Sequence, residues 1–244
     1  MSTDISKLLH KGEQVSTKKS KSLTSYLNGV GIVLAIMEMV YPHPYEVVLT
    51  ISIIYPLVML YILYKHRNAM SLEDDGGKKV KAKQPSLLAA LTMPSFGLAL
   101  RAILDYDLLI FKDCFIPWSV ISVLISIPLI LIVSKSTAKV KLFTNTGYAL
   151  LAFIVIYSYG STVIANCMYD NTQPEIYRTL VLSKHPSGSK HRRYYLKLDK
   201  WGHHTEPEDV SVATSLYDET QVGDWVYVYV KKGTLGVPWY YVDR

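Results

Sequence analysis

The sequence is poor in cysteine, with two residues, Cys114 and Cys167, in 244. That excludes a disulfide-built scaffold, which needs several bridges to replace a hydrophobic core. It also has no phosphate-cradling glycine loop, no nucleophile elbow and no His-Glu-x-x-His, and its serines and histidines show no triad spacing. Nothing in it therefore identifies an enzyme or a cofactor. There is no internal repeat, so the matched halves of inverted-repeat transporters are absent. The layout of a cleavable signal is missing as well. A polar stretch rich in Ser, Thr and Lys comes before the first apolar run, so that run is expected to direct insertion.

Net charge is missing from one part of the chain. From Asn166 onward there are ten basic and ten acidic residues, whereas up to Ala165 there are sixteen and ten. A neutral C-terminal third makes a poor nucleic-acid binder, since phosphate affinity needs uncompensated Lys and Arg. No nucleic-acid partner is expected, and the basic excess belongs to membrane topology.

What the sequence does have is long apolar runs. Crossing a bilayer takes about 20 mostly apolar residues. Five segments come near that length, at about 26–41, 45–64, 87–104, 115–134 and 143–165. The third holds Pro94 and Arg101, but proline is better tolerated in a span than in a soluble helix. The basic residues decide between four and five spans. Lys7, Lys11, Lys18, Lys19 and Lys21 precede the first span. Lys65, Arg67, Lys78, Lys79, Lys81 and Lys83 follow the second, and Lys135, Lys139 and Lys141 precede the last. Only five spans put all three groups on the cytoplasmic side, with the N-terminus in and the C-terminus out. Residues 1–25 are expected to be a flexible basic tail, 26–167 the transmembrane domain, and the connection from Lys65 to Pro85, with its Glu73–Gly77 acidic and glycine stretch and the Lys run after it, a linker.

Beyond Cys167 the pattern becomes short and alternating. Strands are expected at Ile176–Leu182, Arg193–Leu198, Asp209–Ala213, Trp225–Val230 and Trp239–Val242, with a turn at His185–Ser189. The expected fold is an α-helical polytopic membrane domain followed, over 168–244, by a small antiparallel all-β domain, a five-stranded curled sheet or barrel. Val226, Val228 and Val230 share one face of the strongest strand and are expected inside. Trp225, Tyr227 and Tyr229 share the other, beside Trp239 and Tyr240.

Leu100–Tyr106 and Phe115–Trp118, together with Val222–Asp224 and Gly233–Trp239 near the other end, carry a family resemblance. Through them the chain resembles a group of uncharacterised bacterial multi-pass inner-membrane proteins that end in a small β-domain. The resemblance implies a bacterial cytoplasmic membrane and an extracytoplasmic β-domain, and it assigns no activity.

Three sets of residues are candidate sites. Glu38, Arg101 and Asp105 fall in the outer half of the spans and form a polar cluster, either a packing lock or a polar pathway. Cys114 and Cys167 fall on the outer face and are candidates for a disulfide. Trp225, Tyr227, Tyr229 and Trp239, with Tyr194 and Tyr240 in the same aromatic set, offer a docking face or a barrel core. His203, His204, Glu206, Glu208 and Asp209 match no zinc spacing and are read as a solvated turn, so no metal is expected. The expected partners are the bilayer and, through the β-domain, a protein or envelope component. A small transporter or channel component is the alternative.

Overall fold

The computed structural model describes residues 2–67, 69–72, 85–135, 144–188, 193–202 and 204–244. Residues 73–84 of the expected linker, Lys139, Lys141, Phe143, Ser189 and His203 lie outside the described residues, as do the side chains of Lys7, Lys11, Lys18 and Lys135. The chain divides into two compact units. One takes the chain up to Asp105 together with Phe115–Ile164, and the other takes Tyr106–Cys114 together with Ala165–Arg244.

The first unit is helical. Its elements are α1 (Ser2–Val40), α2 (Tyr45–Lys65), α3 (Leu88–Asp105), α4 (Phe115–Lys135) and α5 (Asn145–Met168), whose last residues belong to the second unit. Among the described residues, five helical stretches are long and apolar enough to cross a membrane: Lys19–Val40, Tyr45–Lys65, Leu88–Asp105, Phe111–Ser134 and Asn145–Met168. The basic stretch over residues 2–25 is continuous with the first span in one helix, α1.

Hydroxyls inside these helices mostly bond back to their own backbone, which satisfies them without solvent. Thr92 Oγ1 donates to Leu88 O, Ser95 Oγ to Leu91 O, and Thr162 Oγ1 to Ser158 O. α1 and α3 lie side by side and run the same way. At one end Asn28 Nδ2 donates to Ser86 O at 2.8 Å, while Asn28 Oδ1 accepts Ala90 N–H at 2.9 Å. At the same end, one turn further along α1, Gly31 lets the backbones approach, since a Cβ there would stand 3.0 Å from Ala90 Cα. At the other end Arg101 reaches the carbonyls of Glu38 and Met39. Gly160 of α5 makes a second close approach, against Leu98 and Ala99 of α3. Trp118 Nε1 of α4 donates to Ser158 Oγ of α5 at 2.9 Å. Much of α4 faces outward, with Val123, Leu124 and Ile130 each about 60% exposed.

The second unit is a six-stranded antiparallel sheet curled into a half-barrel, in the order β1-β6-β5-β2-β3-β4. The strands are β1 (Asp107–Leu108), β2 (Glu175–Ser187), β3 (Arg193–Leu198), β4 (Glu208–Val212), β5 (Trp225–Lys231) and β6 (Trp239–Asp243), with a short α6 at Thr214–Glu219. Two expectations are corrected here. There are six strands instead of five, because the α3–α4 connection contributes β1 against β6. The turn expected at His185–Ser189 is strand as far as Ser187. β2 is long because it serves two neighbours: Glu175–Leu180 pair with β5 and Val181–Ser187 pair with β3. Its register shifts between Val181 and Ser183, and a bulge of that kind bends a strand and closes the curl. The core is Val181, Leu196, Leu198, Trp201, Val210, Val226 and Val228.

Candidate functional site

Arg101 is buried near the end of α3. Its Nε donates to Glu38 O at 2.5 Å and its Nη2 to Met39 O at 3.2 Å. These are among the last carbonyls of α1, which have no partner within that helix, and a cation there also suits the helix dipole. Nη1 pairs with Asp105 Oδ1 at 3.3 Å, and Tyr45 donates its hydroxyl to Asp105 Oδ2 at 2.8 Å. The guanidinium lies over the Tyr41 ring at 5.6 Å. The three residues singled out in the sequence thus do meet, but Arg101 holds the Glu38 backbone and not its carboxylate. This is the geometry of a packing lock that ties three helix ends together.

Cys114 and Cys167 are both buried and both free. They are electrostatic neighbours, and the bond considered from sequence is not formed in this structure.

On β5 the alternation sorts the first four side chains as expected, whereas Val230 and Tyr229 are both half-buried and Tyr240, expected beside the outer face, packs with Val230 against the core. Val226 and Val228 are fully buried, while Trp225 is 49% and Tyr227 is 37% exposed. Cross-strand pairing continues this outer face onto β2 and β6. Arg178 lies opposite Tyr227 and stacks over the Trp225 ring at 4.3 Å. Tyr229 stacks on Tyr241, with centroids 4.9 Å apart, and Trp239 lies 5.8 Å from Tyr241. Tyr229 and Trp239 are half-buried, so the exposed part of the face centres on Ile176, Arg178, Trp225, Tyr227 and Tyr241.

His204 pairs with Glu208, Nδ1 to Oε2 at 2.9 Å, and stacks on Trp201 with centroids 4.4 Å apart. Burial pushes the Glu208 carboxyl up, and His204 opposes it. Burial also pushes the Tyr240 hydroxyl up, helped by Asp107 and Glu208. Among the described residues no three of His, Cys, Asp and Glu converge as metal ligands.

Sequence reasoning missed Asn166 and Asp170, which follow the apolar run of α5. Asn166 is fully buried. Its Oδ1 accepts Leu235 N–H at 3.0 Å and Val237 N–H at 3.3 Å, and its Nδ2 donates to Val237 O at 2.8 Å. Asp170 Oδ2 accepts Gly233 N–H at 2.8 Å and Trp239 Nε1–H at 2.9 Å, and Oδ1 accepts Thr172 N–H at 2.8 Å. Burial pushes the Asp170 carboxyl up, but the bonds from Thr172, Trp239 and Gly233 outweigh it and hold it at about 2. Gly233 has φ +75°, and a Cβ there would collide with Val237 O and the Asn166 amide. The Gly233–Trp239 segment is therefore a loop latched onto two polar side chains at the end of α5.

The elements so far describe a five-helix apolar unit and a curled β unit that carries an aromatic face. Compared with known proteins, the chain matches no family model, no curated protein and no solved structure.

Proposed function

We propose that this is a multi-pass protein of a bacterial cytoplasmic membrane whose β unit stands on the extracytoplasmic side and binds a partner protein or envelope component. The observation that carries the binding role is the sidedness of the β unit. Its valine face is buried, and its Trp225–Tyr227–Tyr241 face is open and flanked by Arg178. Exposed Trp, Tyr and Arg together are typical of recognition surfaces.

Two features support the five-span topology. α1 and α3 run the same way along matching lengths, which requires α2 to return between them. β1 pairs with β6, so the α3–α4 connection and the C-terminal strands share one side, and α4 and α5 together cross twice. With basic segments on the opposite side, the C-terminus falls outside. Reporter fusions after Lys83, after Lys141 and at the C-terminus test this. A cytoplasmic signal from the C-terminal fusion sinks the topology. For binding, Tyr227→Ser in the full-length protein is expected to lose the envelope material that co-purifies in mild detergent. Unchanged recovery counts against the aromatic face.

One observation favours the alternative, a small transporter or channel component. The Glu38 carboxyl is buried without a hydrogen-bond partner. Loss of an ion flux in Glu38→Ala, with normal insertion, would put that reading first.

A further inference from the structure

Glu38 lies two residues before the end of α1, with its side chain folded over Gly97 of α3. It is 0% exposed, and neither carboxyl oxygen has a hydrogen-bond partner. Ser52 of α2 is its polar neighbour, is equally buried, and has an unpartnered Oγ. Gly97 makes the room, since a Cβ there would collide with the Glu38 side chain. Three helices thus enclose a carboxyl and a hydroxyl that face each other, with no close hydrogen bond to any other group.

A buried carboxylate without compensation is strongly unfavourable. The charges and hydroxyls around it do not supply that compensation through hydrogen bonds. Arg101 of α3 donates to the Glu38 and Met39 carbonyls and to Asp105. On α2, Tyr45 donates to Asp105 and Tyr55 to Leu27 O. On α5, Tyr157 donates to Ile53 O. The Arg101 charge acts on the carboxyl only from a distance and is already paired with Asp105. Within the chain only the Ser52 hydroxyl faces the carboxyl, so Glu38 either carries a proton or, if ionised, needs a cation beside it.

We infer that Glu38 and Ser52 form a binding site for a small monovalent cation, a proton or an alkali ion, within the helical unit. The inference rests on reading the helices as membrane spans, where no bulk water reaches the carboxyl. A carboxyl facing a hydroxyl offers the oxygen ligands that hard cations take, and a carboxyl inside a span is also the usual carrier of a relayed proton.

The test is infrared difference spectroscopy on full-length protein in phosphatidylcholine vesicles, wild type against Glu38→Gln, with stepped pH and NaCl. A proton site gives a protonated-carboxyl band that belongs to Glu38, follows pH and ignores sodium. An alkali-ion site gives carboxylate bands that shift with NaCl but not with choline chloride. Ser52→Ala is expected to keep the Glu38 signal and move its midpoint by about one pH unit, or about tenfold in sodium. If Glu38→Gln does not assemble, Glu38→Asp takes its place, because the shorter side chain displaces the band. A Glu38 signal that responds to neither pH nor sodium overturns the site, and so does the absence of any difference between wild type and variant. Protease protection in the same vesicles reports separately on whether the chain spans the bilayer, so failure of the topology is distinguishable from failure of the site.

Discussion

Asn166→Ala is expected to destabilise the β unit by about 2–6 kcal/mol. The amide makes three bonds to the Leu235–Val237 backbone, and the two to Val237 are fully buried. Truncation strands the Val237 N–H and C=O, and each orphaned buried group costs about 1–3 kcal/mol. Leu235 N–H is part-buried and adds less, while water entering the loosened loop pulls the total towards the lower end. Whole-protein stabilities are about 5–15 kcal/mol, so the loss is readable. The assay is denaturant unfolding of the full-length protein in mild detergent, followed by tryptophan emission, since three of the four tryptophans lie in the β unit. Thr234→Ala is the control. Its backbone N–H to Asn166 O is kept and its side chain is exposed, so a change within about 0.5 kcal/mol is expected. Asn166→Ala unfolding within that same margin, or Thr234→Ala costing as much, would refute the latch.

Four further outcomes are expected. Val228→Asp places a charge in the sheet core and should unfold the β unit, while Tyr227→Ser should stay within about 1 kcal/mol of wild type by the same unfolding assay; equal losses would reverse the face assignment. Asp170, held at about 2 when folded and higher when unfolded, contributes stability that is complete above its unfolded value and is lost as pH falls from about 4 towards 2. Asp170→Asn should remove that acid-dependent part of an unfolding curve, and an unchanged acid profile would contradict the assignment. Arg101→Ala strands two carbonyls and the Asp105 carboxylate and should cost about 3–5 kcal/mol by thermal unfolding in detergent. Arg101→Lys should not restore it, since an ammonium cannot serve the same three groups in a planar fork; a fully stable Lys variant would count against the lock. Cys114 and Cys167 should react with maleimide only after denaturation, giving two thiols without reductant, whereas thiols that appear only with reductant would establish a disulfide.

The helices were legible because a span needs only length and apolar composition, and even Pro94 and Arg101 did not hide α3. Strand positions on β5 were legible because period-two alternation fixes which face each residue takes. Two other features had no local signal. Asp107–Leu108 is too short to alternate, so β1 exists only because β6 lies beside it. Asn166 and Asp170 look like polar residues ending a helix, and the loop groups they latch lie more than 60 residues away. The hint was the pairing of those two residues with a downstream segment holding Gly233, Gly236 and Pro238, whose backbone needs partners that a short loop cannot supply itself. In the polar cluster, sequence put Glu38 and Arg101 near each other, but which atoms of Glu38 meet Arg101 depends on helix rotation, which residue spacing alone does not give.

The borrowed strand β1 has a consequence for how the protein is made. Leu108 and Trp239 pair although they lie roughly 130 residues apart, so the first strand of the sheet leaves the ribosome long before the strand it pairs with. At roughly 5–20 residues per second, the α3–α4 connection waits on the order of ten seconds or more for its neighbour. During that interval two helices are still to be threaded, and an unpaired edge is open to the wrong strand. Keeping that edge to two residues limits what it can mispair with. The same brevity means that a fragment cut after α5 begins its life with β6 as a bare edge, and so would have to be judged on its aggregation before its binding.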